Sequence, residues 1–304
     1  MLQPPDESLH WQPGFPVDAR RTLAALRRGH HDPTHRVTPD RALWRTALTS
    51  TGPVSYRIRQ QRLDDLTIDA WGPGARELVD TIPTELGAGD HPELFRPDHP
   101  FLQRALRRMP GLRVPCTGRL FEALVPAIIE QRVVGLDAHA AFARLVRAHG
   151  TEPPGPAPQG MRVPPTPKAW SSVPSWGWRQ AGVDLHRSRT VIQAAHHAAR
   201  IDQSAGDPGR AYALLAKLTG IGPWTAAQVG HRALGDADAL PLGDYHLGRM
   251  TGAALLGRRL DDSEIEAFYE PFRPHRYRVL RLIELTPRSA PRRAPRAPRA
   301  GRLH

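Results

Sequence analysis

The sequence holds a single cysteine, Cys116, in 304 residues. No disulfide can form within the chain, a reducing environment fits, and an iron–sulfur cluster held by four thiolates is excluded. No apolar run is long enough to span a bilayer, and the polar start, with Pro4, Pro5, Asp6 and Glu7, does not read as a secretory leader. Lysine is nearly absent: only Lys168 and Lys217 are present, so amines for Schiff-base chemistry are few. The histidine pairs His30-His31 and His196-His197 lack cysteine partners and ligand spacing; no zinc site is expected, and they read as surface residues.

Positive charge is abundant. The formal net charge is +12 and the isoelectric point about 11.0, which implies a polyanionic partner with nucleic acid as the default. Half of that excess lies after Thr286, on Arg288, Arg292, Arg293, Arg296, Arg299 and Arg302, with no acid among them. The rest of the chain is still basic.

The length suits two folded units, or one large one, with real cores. Val54, Tyr56 and Ile58 alternate with Ser55, Arg57 and Arg59, the pattern of a half-buried strand, and Leu66, Ile68 and Ala70 repeat it, with residues 60–65 as the turn. Pro73-Gly74 opens a helix carrying Ala75, Leu78, Val79 and Ile82. From Thr117 onward the pattern is helical. Thr117 is placed to cap a helix whose stripe is Phe121, Leu124, Val125, Ile128 and Ile129, and Asp137 to cap the next, which ends at His149-Gly150. Residues 151–168 are a proline-rich loop. Further helices are expected over 187–201, 244–256, 263–269 and 276–285. The fold class is α+β: a small antiparallel sheet with helices packed on one side over residues 1–110, a helical domain over 111–286, and a disordered Arg/Pro/Ala tail over 287–304.

The most informative stretch is Leu218-Thr219-Gly220-Ile221-Gly222-Pro223-Trp224-Thr225-Ala226-Ala227. Ala211 to Lys217 forms a helix with Leu214, Leu215 and Leu218 on its apolar stripe. Gly220 and Gly222 end it, because glycine takes positive φ without a Cβ penalty. Pro223 suits the first turn of a second helix, running to Ala233. The N–H groups of such a hairpin favour an anion, a phosphate above all; the plain alternative is a helical corner in a core. About twenty residues later, Gly243-Asp244-Tyr245-His246-Leu247 offers a carboxylate at a helix start, where the dipole favours its ionised form. An N-cap aspartate is the plain reading of Asp244, and the two roles are compatible. Asp236 and Asp238 are weaker alternatives in the preceding loop.

The hairpin with its spaced aspartate resembles the helix-hairpin-helix DNA glycosylases, in particular the 3-methyladenine DNA glycosylase II type. Trp11-Gln12-Pro13, residues 110–115, residues 121–131 and Phe272-Arg273-Pro274-His275-Arg276 are similar to other parts of that family, so the resemblance spans most of residues 8–286. It implies hydrolysis of the N-glycosidic bond of flipped-out alkylated purines in double-stranded DNA. Asp244 would stabilise the cationic sugar, and Gly220, Gly222 and Thr225 would hold a phosphate. A base methylated at N3 or N7 is already a good leaving group, so modest stabilisation suffices. Trp224 and Tyr245 match aromatic pocket positions, where an indole attracts a cationic ring by about 0.5–2 kcal/mol; Trp224 as a core residue is the alternative. Relatives that nick the strand carry a lysine where Trp224 stands, so a monofunctional enzyme without lyase activity is implied.

Two departures from the family pattern stand out. Gln131 and Arg132 end the helix that presents the family's DNA wedge; an apolar residue is usual where Arg132 stands, and a guanidinium would stack on bases or touch phosphate instead. Glu284 stands where the family carries a pocket tryptophan, and reads either as a pocket wall or as a solvated helix residue. A monovalent cation held by the carbonyls of Ala216, Leu218 and Gly220 is implied by the resemblance alone. No other cofactor is expected. A monomer, cytoplasmic and nucleoid-associated, completes the reading. A same-fold glycosylase for deaminated or oxidised bases and a catalytically silent DNA-binding protein stand as alternatives.

Overall fold

The computed structural model describes residues 3–286; the expected tail, residues 287–304, lies outside the described residues. The alternation at Val54, Tyr56 and Ile58 does give a strand, and the chain builds five: β1 (Glu7–Trp11), β2 (His35–Val37), β3 (Leu43–Thr49), β4 (Gly52–Arg62) and β5 (Asp65–Trp71), with a short helix α1 (Ala19–Leu23) before β2. They form one antiparallel sheet in the order β1-β5-β4-β3-β2. The turn expected over 60–65 contracts to Leu63-Asp64, because Arg62 already pairs with Asp65. Two-residue connections are the commonest hairpin link.

One face of the sheet packs Val54, Tyr56, Ile58, Leu66 and Ile68 against Leu78, Ile82 and Leu86, in and just after α2 (Ala75–Glu85). The other face is covered too, which the sequence reading missed. Trp44 and Trp71 stack there with ring centroids 5.2 Å apart, with Met161 in the same cluster and the Arg57 guanidinium over both rings. Residues 151–165 are a loop, as expected, but one that lies against the sheet. Thr46 Oγ1 donates to the Arg162 carbonyl at 2.5 Å, Ser55 Oγ to that of Pro154 at 2.5 Å, and Thr151 bridges to Val163.

The remainder is helical: α3 (Pro100–Arg108), α4 (Leu120–Ile129), α5 (Gly135–His149), α6 (Pro167–Ser171), α7 (Ser175–Ala181), α8 (Leu185–His196), α9 (Ala198–Asp202), α10 (Pro208–Leu215), α11 (Pro223–Val229), α12 (Leu247–Leu255), α13 (Asp262–Tyr269) and α14 (Arg276–Leu285). None of the described helices is long and apolar enough to cross a membrane. Helices α4, α5, α7, α8, α10 and α11 share one apolar core. Helix α3 closes a second core with α12, α13 and α14.

Several helix starts differ from expectation. Thr117 does not cap α4; its hydroxyl accepts the Arg119 N–H ahead of the helix. The Phe121 N–H is instead met at 2.8 Å by Asp202 Oδ1, from the end of α9. Helix α4 is buried on almost every side, so its first N–H groups must find protein partners. Burial pushes the Asp202 carboxyl up to about 6 in spite of that bond. Asp137 lies inside the first turn of α5, after Val134. The helix expected over 187–201 is two, α8 capped by Asp184 and α9, divided at His197. Lys168, expected in the loop, sits in α6.

The sheet and the helices meet at a buried ionic cluster. Glu85, at the end of α2, accepts from Arg45 Nη1 at 2.5 Å, Tyr56 Oη at 2.6 Å and Arg119 Nη2 at 2.8 Å. Glu122 on α4 lies 3.3 Å from Arg119 and 3.4 Å from Arg45. Glu85 is 1% exposed, so this contact ties β3, β4, α2 and α4 together away from bulk solvent.

Candidate functional site

The hairpin between α10 and α11 forms because Leu215 and Ile221 are drawn into the helical core on either side of it. Gly220 turns the chain with φ +86, in the left-handed region. Gly222 does not: its φ of −102 and ψ of −179 are extended, and it is the N-cap of α11. A Cβ there would meet nothing within 4 Å, so neither the backbone nor the packing requires glycine at this position. A Cβ on Gly220 would lie 2.7 Å from Thr190 Oγ1 and 3.6 Å from His186 Nε2, so the hairpin rests on α8. Gly220→Val combines a forbidden φ with that clash. It is expected to destabilise the fold by about 1–3 kcal/mol, which a thermal melt checks.

Gln131 holds the hairpin from behind. Its Nε2 donates at 2.8 Å to the Gly220 carbonyl and at 2.8 Å to Thr225 Oγ1. Thr225 is buried, so its hydroxyl serves this clamp, and its main-chain N–H in the first turn of α11 is what remains for an anion. Arg132, next along, is exposed and takes φ +55, unusual for a side-chain-bearing residue. Leu136 nearby is 79% exposed, off the buried stripe of α5.

The aspartate and the hairpin helix come together. Trp224 Nε1 donates to Asp244 Oδ2 at 3.2 Å, across 20 residues. The His246 N–H donates to Asp244 Oδ1 at 2.8 Å, an Asx-type turn that follows Gly243 at φ +84. Asp244 therefore stands three residues ahead of α12, whose N-cap is His246. Both carboxylate oxygens carry one hydrogen bond and the group is half-exposed. Trp224 is half-buried with its indole N–H committed to Asp244, not a core side chain. Tyr245 is 63% exposed, edge-on to His246.

The weaker alternatives have other work. Asp236 accepts from Tyr212 Oη at 2.6 Å. Asp238 pairs with Arg273 at 2.9 Å and Arg276 at 2.7 Å and accepts the Arg276 N–H at the start of α14. Glu284 is not a solvated helix residue: its side chain is 19% exposed and accepts from Arg281 Nη1 at 3.0 Å. Of the carbonyls expected to hold a cation, that of Leu218 accepts the Ile221 N–H at 3.1 Å and that of Gly220 accepts from Gln131. Among the described residues, no group of three or more His, Cys, Asp or Glu side chains could hold a metal ion.

No family model matches the chain. A curated protein of Mycobacterium tuberculosis, described as a probable bifunctional transcriptional activator/DNA repair enzyme AlkA, is 30% identical over 164 residues. That match covers 52% of this chain and 32% of the relative, so the chain spans about a third of the length of the curated relatives it matches. Among solved structures, a 3-methyladenine DNA-glycosylase from Archaeoglobus fulgidus superposes with a TM-score of 0.73 at 17% identity, over 91% of this chain and 96% of that one. An 8-oxoguanine glycosylase/lyase from Clostridium acetobutylicum gives a TM-score of 0.66 at 12% identity, over 93% and 98%.

Proposed function

We propose, from the premise that the chain has the fold of the helix-hairpin-helix DNA glycosylases, that it is a base-excision enzyme hydrolysing the N-glycosidic bond of alkylated purines in duplex DNA. The observation that carries this reading is the junction of Trp224 and Asp244. A carboxylate in the turn before α12 is held by the indole of the hairpin helix whose N-terminus would be open for a phosphate. Departure of the base leaves positive charge on the sugar, and a fixed carboxylate stabilises that charge without reorganising. Its two hydrogen bonds fix its direction, and an N3- or N7-methylated base departs without strong acid assistance.

Duplex DNA would lie along the hairpin. The main-chain N–H groups at Gly222 and in the first turn of α11 would meet a phosphate, and Arg132 and Leu136 would fill the gap left by the extruded base. The carbonyls of Ala216, Leu218 and Gly220 fit a weakly held monovalent cation: they are neutral oxygens, and the hydrogen bonds on two of them leave a lone pair on each. Trp224, rather than an amine, lies against the carboxylate, which supports a monofunctional enzyme.

A second reading rests on Glu284. Bonded to Arg281 rather than solvated, it offers charged hydrogen-bonding groups that would suit an oxidised or deaminated base. Base release from purine-methylated duplex DNA, with strand breaks read before and after alkali, tests the proposal. Release of 3-methyladenine or 7-methylguanine with breaks only after alkali is expected. Breaks before alkali would remove the monofunctional assignment, and no release alongside intact DNA binding would favour the second reading or a silent binder.

A further inference from the structure

We infer that Gln228 reads the flipped base: its side-chain amide donates to a keto oxygen on the purine edge, which raises excision of 7-methylguanine relative to 3-methyladenine. The inference deepens the proposed excision reaction and rests on it. It starts from the order of groups along one face of α11. The N-terminus of the helix would meet a phosphate, Trp224 in the first turn holds the Asp244 carboxylate at 3.2 Å, and Gln228 stands one turn further on. Residues four apart share a helix face. One turn rises about 5.4 Å, the scale of a purine from its glycosidic nitrogen to its far edge. With the sugar at Asp244, the edge of the base reaches the level of Gln228.

That face of α11 looks away from the helical core. Val229 enters the core shared with α4, and Thr225 meets Gln131. His231, three residues beyond Gln228, stacks instead on Tyr277 of α14, with ring centroids 3.8 Å apart. Gln228 thus lies between a residue that meets the Asp244 turn and one that meets α14, the helix that also carries Glu284.

The amide is fixed in direction. Arg232 Nη1 donates to the Gln228 side-chain oxygen and, at 3.0 Å, to the Gln228 main-chain carbonyl. Arg232 is itself held by the Ala25 carbonyl through Nε at 2.9 Å, and Glu130 and Glu284 act on it as counter-charges. A guanidinium carries donors only, so the amide oxygen faces it and the NH2 faces the other way. Among the described residues nothing accepts from that NH2. Gln228 is 7% exposed, so its donors are set in advance and little hydrated, and an acceptor brought by a ligand gains most at such a place. A keto oxygen is such an acceptor. 7-Methylguanine carries one at C6, where 3-methyladenine carries an amine and donor would face donor.

The test uses the full chain on duplex DNA methylated at its purines. Released bases are separated by chromatography, and their initial rates are compared in wild type, Gln228→Leu and Gln228→Glu, with a thermal melt of each. In Gln228→Leu the main-chain carbonyl still accepts from Arg232. The ratio of 7-methylguanine to 3-methyladenine release is expected to fall about tenfold in Gln228→Leu, the worth of one hydrogen bond, and at least as far in Gln228→Glu, which turns an acceptor toward the keto oxygen. A residue that only braced Arg232 would lower both rates alike and leave the ratio where it was. Should Gln228→Leu fail to fold, Gln228→Glu, close in size, carries the comparison. An unchanged ratio overturns the inference and leaves the proposed reaction standing; a wild type that releases neither base overturns both.

Discussion

Asp244→Asn is expected to lower base release from methylated duplex DNA by about 100- to 10,000-fold, the range a positioned acid–base or charge-stabilising group contributes. The substitution keeps size and shape and removes one negative charge. It also changes the local bonding. Asp244 accepts from the Trp224 indole on one oxygen and from the His246 N–H on the other. Asparagine has one acceptor oxygen, so one of those donors would face an amide NH2. The Tm and the affinity for a duplex with an abasic-site analogue therefore belong beside the rate. Both near wild type with excision nearly abolished marks Asp244 as the catalytic group. Release within a few-fold of wild type would remove Asp244 from the chemistry and leave it as the anchor of the turn before α12.

The largest effect on stability is expected at Glu85. Glu85→Ala leaves Arg45 and Arg119 facing each other, with Glu122 their one shared carboxylate, and deletes the acceptor of the Tyr56 hydroxyl. Breaking a buried pair by removing one partner costs about 3–5 kcal/mol, enough to consume much of an ordinary domain's stability. A thermal melt checks it, and a shift within a degree or two of wild type would show that water reaches the cluster. Burial alone would raise the Glu85 carboxyl, but the charges of Arg119 and Arg45 and the Tyr56 hydroxyl outweigh it and hold the group below its ordinary value. A depressed folded value means that the unfolded chain takes up the proton first on acidification. The contribution is thus complete above the unfolded value of about 4.3 and is lost as pH falls through the folded one. In the Glu85→Ala protein that part of the acid sensitivity should be missing.

What was legible in the sequence was local. β4 and β5 alternate because one face carries apolar side chains against α2 while the other carries polar ones among those under the covering loop, and Pro73-Gly74 starts α2 as its composition requires. The hairpin and Asp244 were legible for the same reason: glycine, proline and an aspartate at a turn each act within a few residues. β3 was not, because Leu43–Thr49 is buried on both faces and loses the period of two. β1 and β2 are short edge strands whose pairing comes from β5 and β3, not from their own composition. The clamp of Gln131 on the hairpin spans 89 residues to Gly220, and the capping of α4 by Asp202 spans 81 to Phe121. Contacts at such separations leave no periodicity to read.

The loop against the sheet sets an order of events during synthesis. The fifth strand ends at Trp71, yet the segment that covers Trp44 and Trp71 is not made until residues 154–163 have emerged. Trp44 and Trp71 therefore cannot reach their full burial before that segment is made. The N-terminal part is thus finished by sequence that lies beyond α5, and the two parts of the molecule mature as one.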